Sequence, residues 1–149
     1  MAMIHLPPDF KEFLRLLDAY QVEYLLIGGY AVGYHGYPRA TVDMDIWIAM
    51  NPGNAEKIVA VLKEFGFNLP DLSPDLFLKE WKVIRLGVPP VRIEIATTIS
   101  GVNFSECYAK KVLGELDGEQ VKLISLKHLK INKKASGRHQ DLADLENLP

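Results

Sequence analysis

The chain has 149 residues, 48% of them hydrophobic and 24% charged, with 17 basic against 19 acidic side chains and a formal net charge of -2. That length suits one ordinary domain with a real core, spanning 1–149, and the near balance of charge excludes a protein held to nucleic acid by bulk charge. Cys107 is the single cysteine, which excludes an intrachain disulfide and a cysteine-cluster metal site. The opening "MAMIHLPPDF" lacks a basic segment followed by an apolar one, and no apolar run approaches the ~20 residues a membrane helix needs. The expectation is a soluble, cytoplasmic protein without membrane contact.

In chain order, "PPDFKEFLRLLDAY" sets Phe10, Phe13, Leu14, Leu17 and Tyr20 at helical spacing, behind prolines that suit a first turn. "VEYLLI" reads as a short strand ending at Gly28-Gly29, and a short helix from about Tyr30 to His35 should stop near Gly36 and Pro38. "TVDMDIWIA" alternates, with Val42, Met44, Ile46 and Ile48 facing one way and Asp43, Asp45 and Trp47 the other. Asn51-Pro52 fits the start of a helix through Phe65 that Gly66 closes. After a polar loop around "LPDLSPD", "WKVIRLG" and "VRIEIAT" read as strands joined across "VPP", with Arg92 and Glu94 on the face opposite Val91, Ile93 and Ile95. Cys107 falls in a helix and reads as structural. "KVLGEL" and "EQVKLI" flank Asp117-Gly118, a hairpin signal. Ser125 caps a last helical region, with a break expected at Gly137. Mixed helices and strands with late hairpins suit an α/β (α+β) domain with a mixed sheet.

The chemistry concentrates in "GGYAVGYHGYPRATVDMDI", residues 28 to 46. Gly28 and Gly29 let backbone approach a ligand closely, and free N–H groups at a helix start suit an anion such as a triphosphate. Asp43 and Asp45, two apart on a strand, leave the same face some ~6 to 7 Å apart along it and can share hard cations such as Mg²⁺. Glu94 is the candidate third ligand, against the plainer reading of an ion pair with Arg92. Arg39 and Thr41 lie just before the aspartates, where Arg39 can meet a phosphate. Trp47 and Trp81 could stack a base, although packing is the plainer reading for both.

Ile27-Gly28-Gly29, thirteen intervening residues and Asp43-Met44-Asp45-Ile46 resemble the signature of the nucleotidyltransferase superfamily, whose catalytic fold is DNA polymerase β-like. "PRATVDMDI" and the ending "LISLKHLKINKKASGRHQDLADLENL" are further similar to its small bacterial members, the AbiEii-like toxins and the minimal (MNT) antitoxins. Two departures stand out: Gly29 replaces the common serine and removes a hydroxyl, and Glu94 replaces the usual aspartate with a longer arm.

The resemblance implies a minimal nucleotidyltransferase fold and a reaction that moves a nucleoside monophosphate from an NTP to a hydroxyl. It implies two Mg²⁺ ions held by Asp43, Asp45 and Glu94, which are also the catalytic residues. The nucleotide would be held by Gly28, Gly29, Arg39, Thr41, Lys133, Lys134 and Arg138. At least one of Lys133, Lys134 and Arg138 is expected to border the cleft holding Asp43, forming a positive wall with Arg39, while Asp141 and Asp144 pair with bases to hold the last helix. The acceptor could be a protein, an RNA end or a small molecule, in a toxin–antitoxin setting. With little chain left for acceptor recognition, a partner protein or homo-oligomer would complete that site. The alternative is a catalytically retired nucleotide-binding or antitoxin-like module that acts by binding a partner.

Overall fold

The structure is a computed structural model that describes residues 4–149. Helix α1 (Pro8–Ala19) begins on a proline, whose missing N–H is not needed in a first turn, and buries Phe10, Phe13, Leu14 and Leu17 on one stripe. Strand β1 (Tyr24–Ile27) is buried throughout and runs straight into α2 (Gly28–Tyr34), so the two glycines lie inside the helix start rather than ahead of it. Strand β2 (Asp43–Ile48) leads to α3 (Pro52–Phe65). The Asn51 side chain accepts from the Asn54 N–H at 2.9 Å at the start of α3, and Gly66 ends it in the left-handed region at φ 103°.

A short 3₁₀ turn over Pro74–Phe77 precedes the hairpin of β3 (Val83–Val88) and β4 (Val91–Ala96). Helix α4 (Phe104–Ala109) buries Cys107 and leads to the hairpin of β5 (Val112–Leu116) and β6 (Glu119–Leu123), which turns at Asp117-Gly118 with both residues at positive φ. Helix α5 (Leu126–Ser136) is capped by Ser125, stops at left-handed Gly137, and is followed by α6 (His139–Asn147).

The strands form one sheet in the order β3-β4-β2-β1-β6-β5. Neighbours β2 and β4, and β1 and β6, are parallel; the other pairs are antiparallel. This is the mixed α+β sheet expected from the sequence. Met44, Ile46, Ile93 and Ile95 join the α1 and α3 side chains in a single buried cluster. Each such large aliphatic side chain, cut back to alanine, would cost about 2–5 kcal/mol. The opposite face of β2 and β4 carries Asp43, Asp45, Arg92 and Glu94. Trp47 shares that face in the alternation yet is fully buried. It packs edge-on against Phe104 at 5.0 Å and its indole N–H donates to the Thr97 carbonyl at 3.2 Å.

Candidate active site

The register of the sheet assembles the site. Asp45 lies opposite Ile27 on β1 and Glu94 on β4, and Glu94 lies opposite Arg85 on β3. One level along, Asp43 lies opposite Arg92. Parallel pairing of β2 with β4 therefore puts Glu94 beside Asp45, whereas alternation alone could place it only on the same face as Asp43. All three carboxylates line a cavity of about 570 Å³ with Gly28, Arg85, Arg92, Lys133 and Arg138.

Two arginines engage the carboxylates. Arg92 donates from Nε and Nη2 to the two oxygens of Asp43, both at 2.9 Å, and comes within 3.7 Å of Glu94 Oε1. Arg85 Nε donates to Glu94 Oε1 at 2.9 Å. The sequence left Arg92 as a partner of Glu94 alone, because the strand pairing that aims its fork at Asp43 is not a local property. Asp45 has no such cation. Burial, then the charge of Glu94, a hydrogen bond shared with Glu94 and the charge of Asp43 push its carboxyl up to about 7.

Gly28 makes room for this arrangement. It sits at φ 67°, and a Cβ there would come within 2.0 Å of Asp45 Oδ2. At Gly29 a Cβ would lie 2.4 Å from the Thr41 hydroxyl oxygen. The space a serine would use at position 29 is thus occupied by a hydroxyl from position 41, and Thr41 Oγ1 donates to the Asp43 carbonyl at 3.3 Å.

A second cavity of about 350 Å³ shares Gly28, Asp43, Asp45, Lys133 and Arg138 with the first, and is completed by Gly29, Arg39, Thr41 and Gln140. Its basic residues are not all available. Lys133 is buried and bridges Asp141 at 3.1 Å and Asp144 at 3.0 Å. Arg39 donates to both oxygens of Asp144 at 2.8 and 2.9 Å. Arg138 holds Asp141 at 2.9 Å but stays largely exposed. Burial would raise the Asp141 carboxyl, but hydrogen bonds led by Arg138 outweigh it and bring it down to about 2. The two aspartates thus pair with bases and fix α6, as expected.

Lys134 does not belong to the site. It is exposed and lines neither cavity. The left-handed turn at Gly137 ends α5, so Lys134 and Arg138 do not share one helical face. Lys133 and Arg138 border the carboxylates instead.

As the side chains lie, no group of three or more His, Cys, Asp and Glu among the described residues stands close enough to hold one metal ion. The donor set still fits a hard cation such as Mg²⁺: three carboxylates face one cavity, and the burial and neighbouring negative charge that raise Asp45 are what a bound cation offsets. Arg92 occupies both Asp43 oxygens and would have to yield one.

No protein family and no curated protein matches the chain in sequence. Solved structures do match it in shape. A candidate nucleotidyltransferase from Thermotoga maritima superposes with a TM-score of 0.64 at 17% identity, covering 96% of this chain and 94% of that one. The fold is that of the nucleotidyltransferases. The lincosamide antibiotic adenylyltransferase LnuA, in its lincomycin-bound structure, matches with a TM-score of 0.57 at 14% identity over 97% and 96% of the two chains. An antigenic nucleotidyltransferase-like protein from Paracoccidioides brasiliensis matches at 0.55 and 18% identity, over 92% of this chain and 72% of that one.

Proposed function

We propose that the protein is a metal-dependent nucleotidyltransferase that moves a nucleoside monophosphate from an NTP to a hydroxyl. The observation that carries this reading is the register of Asp43, Asp45 and Glu94 on two neighbouring parallel strands, facing one cavity in a nucleotidyltransferase fold. Asp43, Asp45 and Glu94 would hold Mg²⁺, which when bound would supply positive charge at the reacting phosphorus and acidify the acceptor hydroxyl. The chain's own part is positioning and electrostatics, which suffice for phosphoryl-type transfer. Arg138 and Lys133 would face the polyphosphate from the last two helices. Thr41 would present to it the hydroxyl that Gly29 lacks, and Gly28 keeps the space beside Asp45 open. The acceptor's proton would pass to a site carboxylate or to solvent.

The likeness of "PRATVDMDI" and of the closing segment to AbiEii-like toxins and MNT antitoxins favours a toxin–antitoxin setting. LnuA, an adenylyltransferase for a lincosamide antibiotic, keeps small molecules among the acceptors beside protein and RNA. One observation favours the second reading, a retired binding module: the bidentate grip of Arg92 on Asp43. Pyrophosphate release with Mg²⁺, each NTP and candidate acceptors separates the two. Transfer predicts release that Asp43→Asn abolishes. Arg92→Gln should leave release intact or raise it if the arginine merely yields to the metal, and no release from either protein favours the retired module.

A further inference from the structure

Trp81 is 64% exposed, and the described chain gives it a backbone that side chains other than glycine rarely take, at φ 57°. Three hydrogen bonds hold it there. Its N–H donates to Thr98 Oγ1 at 3.0 Å, the next N–H, of Lys82, donates to Thr97 Oγ1 at 3.0 Å, and that hydroxyl donates to the Lys79 carbonyl at 2.6 Å. A strained, pinned and exposed tryptophan is a costly way to decorate a surface, and such outliers gather where a ligand is gripped. Trp81 lines the carboxylate cavity at its β3 edge, with Val83, Ile99, Thr98 and Ser100 around it. Asn132 on α5 closes that end by donating to the Ser100 carbonyl at 2.9 Å.

The strand order fixes what this end can hold. The second cavity lies on the β1 side of β2, with Gly29, Arg39 and Thr41; Trp81 lies on the other side, beyond β4, past Arg92 and Arg85, which Asp43 and Glu94 already hold. In-line transfer sets the attacking hydroxyl and the leaving pyrophosphate on opposite sides of the α-phosphorus. If the pyrophosphate leaves toward that second cavity, the acceptor approaches from the Trp81 side. This step rests on the transferase reading above.

We infer that the Trp81 end of the cavity is an acceptor subsite for a small molecule carrying a hydroxyl and a flat, apolar ring, which stacks on the Trp81 indole. The whole cavity, about 570 Å³ and shared with the carboxylates, is concave, so its Trp81 end suits a small ligand better than an extended surface. Thr98 and Ser100 line the same cavity, where their hydroxyls can meet polar atoms of the ligand. In the balanced step, the acceptor oxygen forms a bond to the α-phosphorus as the bond from that phosphorus to the bridging oxygen breaks. The hydroxyl proton passes to a site carboxylate or to solvent, and pyrophosphate leaves.

The two indole N–H signals of the ¹⁵N-labelled protein test this, because Trp47, buried and bonded to Thr97, serves as an internal reference. Titration with 2-phenylethanol should move the Trp81 signal saturably and leave the Trp47 signal in place. 2-Cyclohexylethanol, with the same hydroxyl and a puckered ring, should bind several-fold more weakly. In Trp81→Ala, 2-phenylethanol binding followed by saturation transfer should weaken roughly tenfold, the range of one aromatic stack, while Trp81→Phe retains most of it. Affinity for α,β-methylene-ATP with Mg²⁺ should change less than twofold in Trp81→Ala. Equal binding of the two alcohols, binding that survives Trp81→Ala, or a tenfold loss of nucleotide affinity in that variant would each overturn the subsite; the last would make the indole a base platform. If 2-phenylethanol binds as expected but no nucleotide binds, the ring subsite stands and the transferase reading fails.

Discussion

At Asp45 burial first, and then the charges of Glu94 and Asp43, raise the carboxyl to about 7, only partly offset by Lys133. A folded-state value above the unfolded one means that the native state binds the extra proton. This contribution to stability is full below about pH 4 and is lost as pH rises through about 7. Metal-free Asp45→Asn should therefore melt higher than the parent, with a larger gain at pH 8 than at pH 5. Calorimetric scans at the two pH values check the sign; an equal or negative difference would mean that the carboxyl is not raised in the fold. Asp43→Asn should behave differently, since it removes the partner of Arg92, and no gain is expected there. At Gly29 the neighbour is Thr41, 2.4 Å from where a Cβ would sit. Gly29→Ser should cost about 1–3 kcal/mol by overpacking, and the cost should shrink in a Thr41→Gly background. Additive losses in that double-mutant cycle would mean that the two positions do not compete for one space. The sequence shows the glycine and the threonine; that the second fills the place of the first's missing side chain depends on how the 36–42 loop returns to α2, which no local pattern records.

Among the elements, α5 and α6 show where charge patterning misleads. "NKKASGR" reads as a run of three cations, but only one of its two lysines is buried. Lys133 joins Asp141 and Asp144, Arg138 adds bonds to both oxygens of Asp141 and Arg39 to both of Asp144, and this network ties α5, α6 and the 36–42 loop together. Lys133→Met leaves two buried carboxylates short of a partner and should cost about 3–5 kcal/mol, so any loss of nucleotide binding in that variant mixes with unfolding. Lys134→Met, on the solvent face, should change stability by less than about 0.5 kcal/mol and leave nucleotide affinity unchanged. Chemical denaturation of the two variants decides between them, and equal losses would contradict the assignment. Because the Asp141 and Asp144 carboxyls are lowered in the fold, their contribution is present above about pH 4. It should fade as pH falls toward about 2, steepening acid unfolding. Gly137 was legible as a break, but a break also takes Arg138 off the face of Lys134.

Across the whole molecule, the alternation in "TVDMDIWIA" and "VRIEI" correctly put Asp43, Asp45 and Glu94 on the polar faces of their strands, and the late hairpins pointed to a mixed sheet. What periodicity could not give is the order β3-β4-β2-β1-β6-β5, because strand pairing joins residues far apart in the chain. That order places Glu94 beside Asp45, gives Asp43 to Arg92, and sets Arg39 and Thr41 on the opposite side of β2 from Trp81. Trp47 shows the same limit in the core: its strand parity is polar, and only α4 arriving with Phe104 buries it. In the proposed function these carboxylates bind a nucleotide through Mg²⁺. Calorimetric titration with α,β-methylene-ATP, with Mg²⁺ and with chelator, tests it most directly in the parent protein and in Asp45→Asn. The account predicts binding with Mg²⁺, its loss in chelator, and its loss in Asp45→Asn while that variant stays folded. Nucleotide binding that needs no divalent ion, or that Asp45→Asn leaves unchanged, would contradict it.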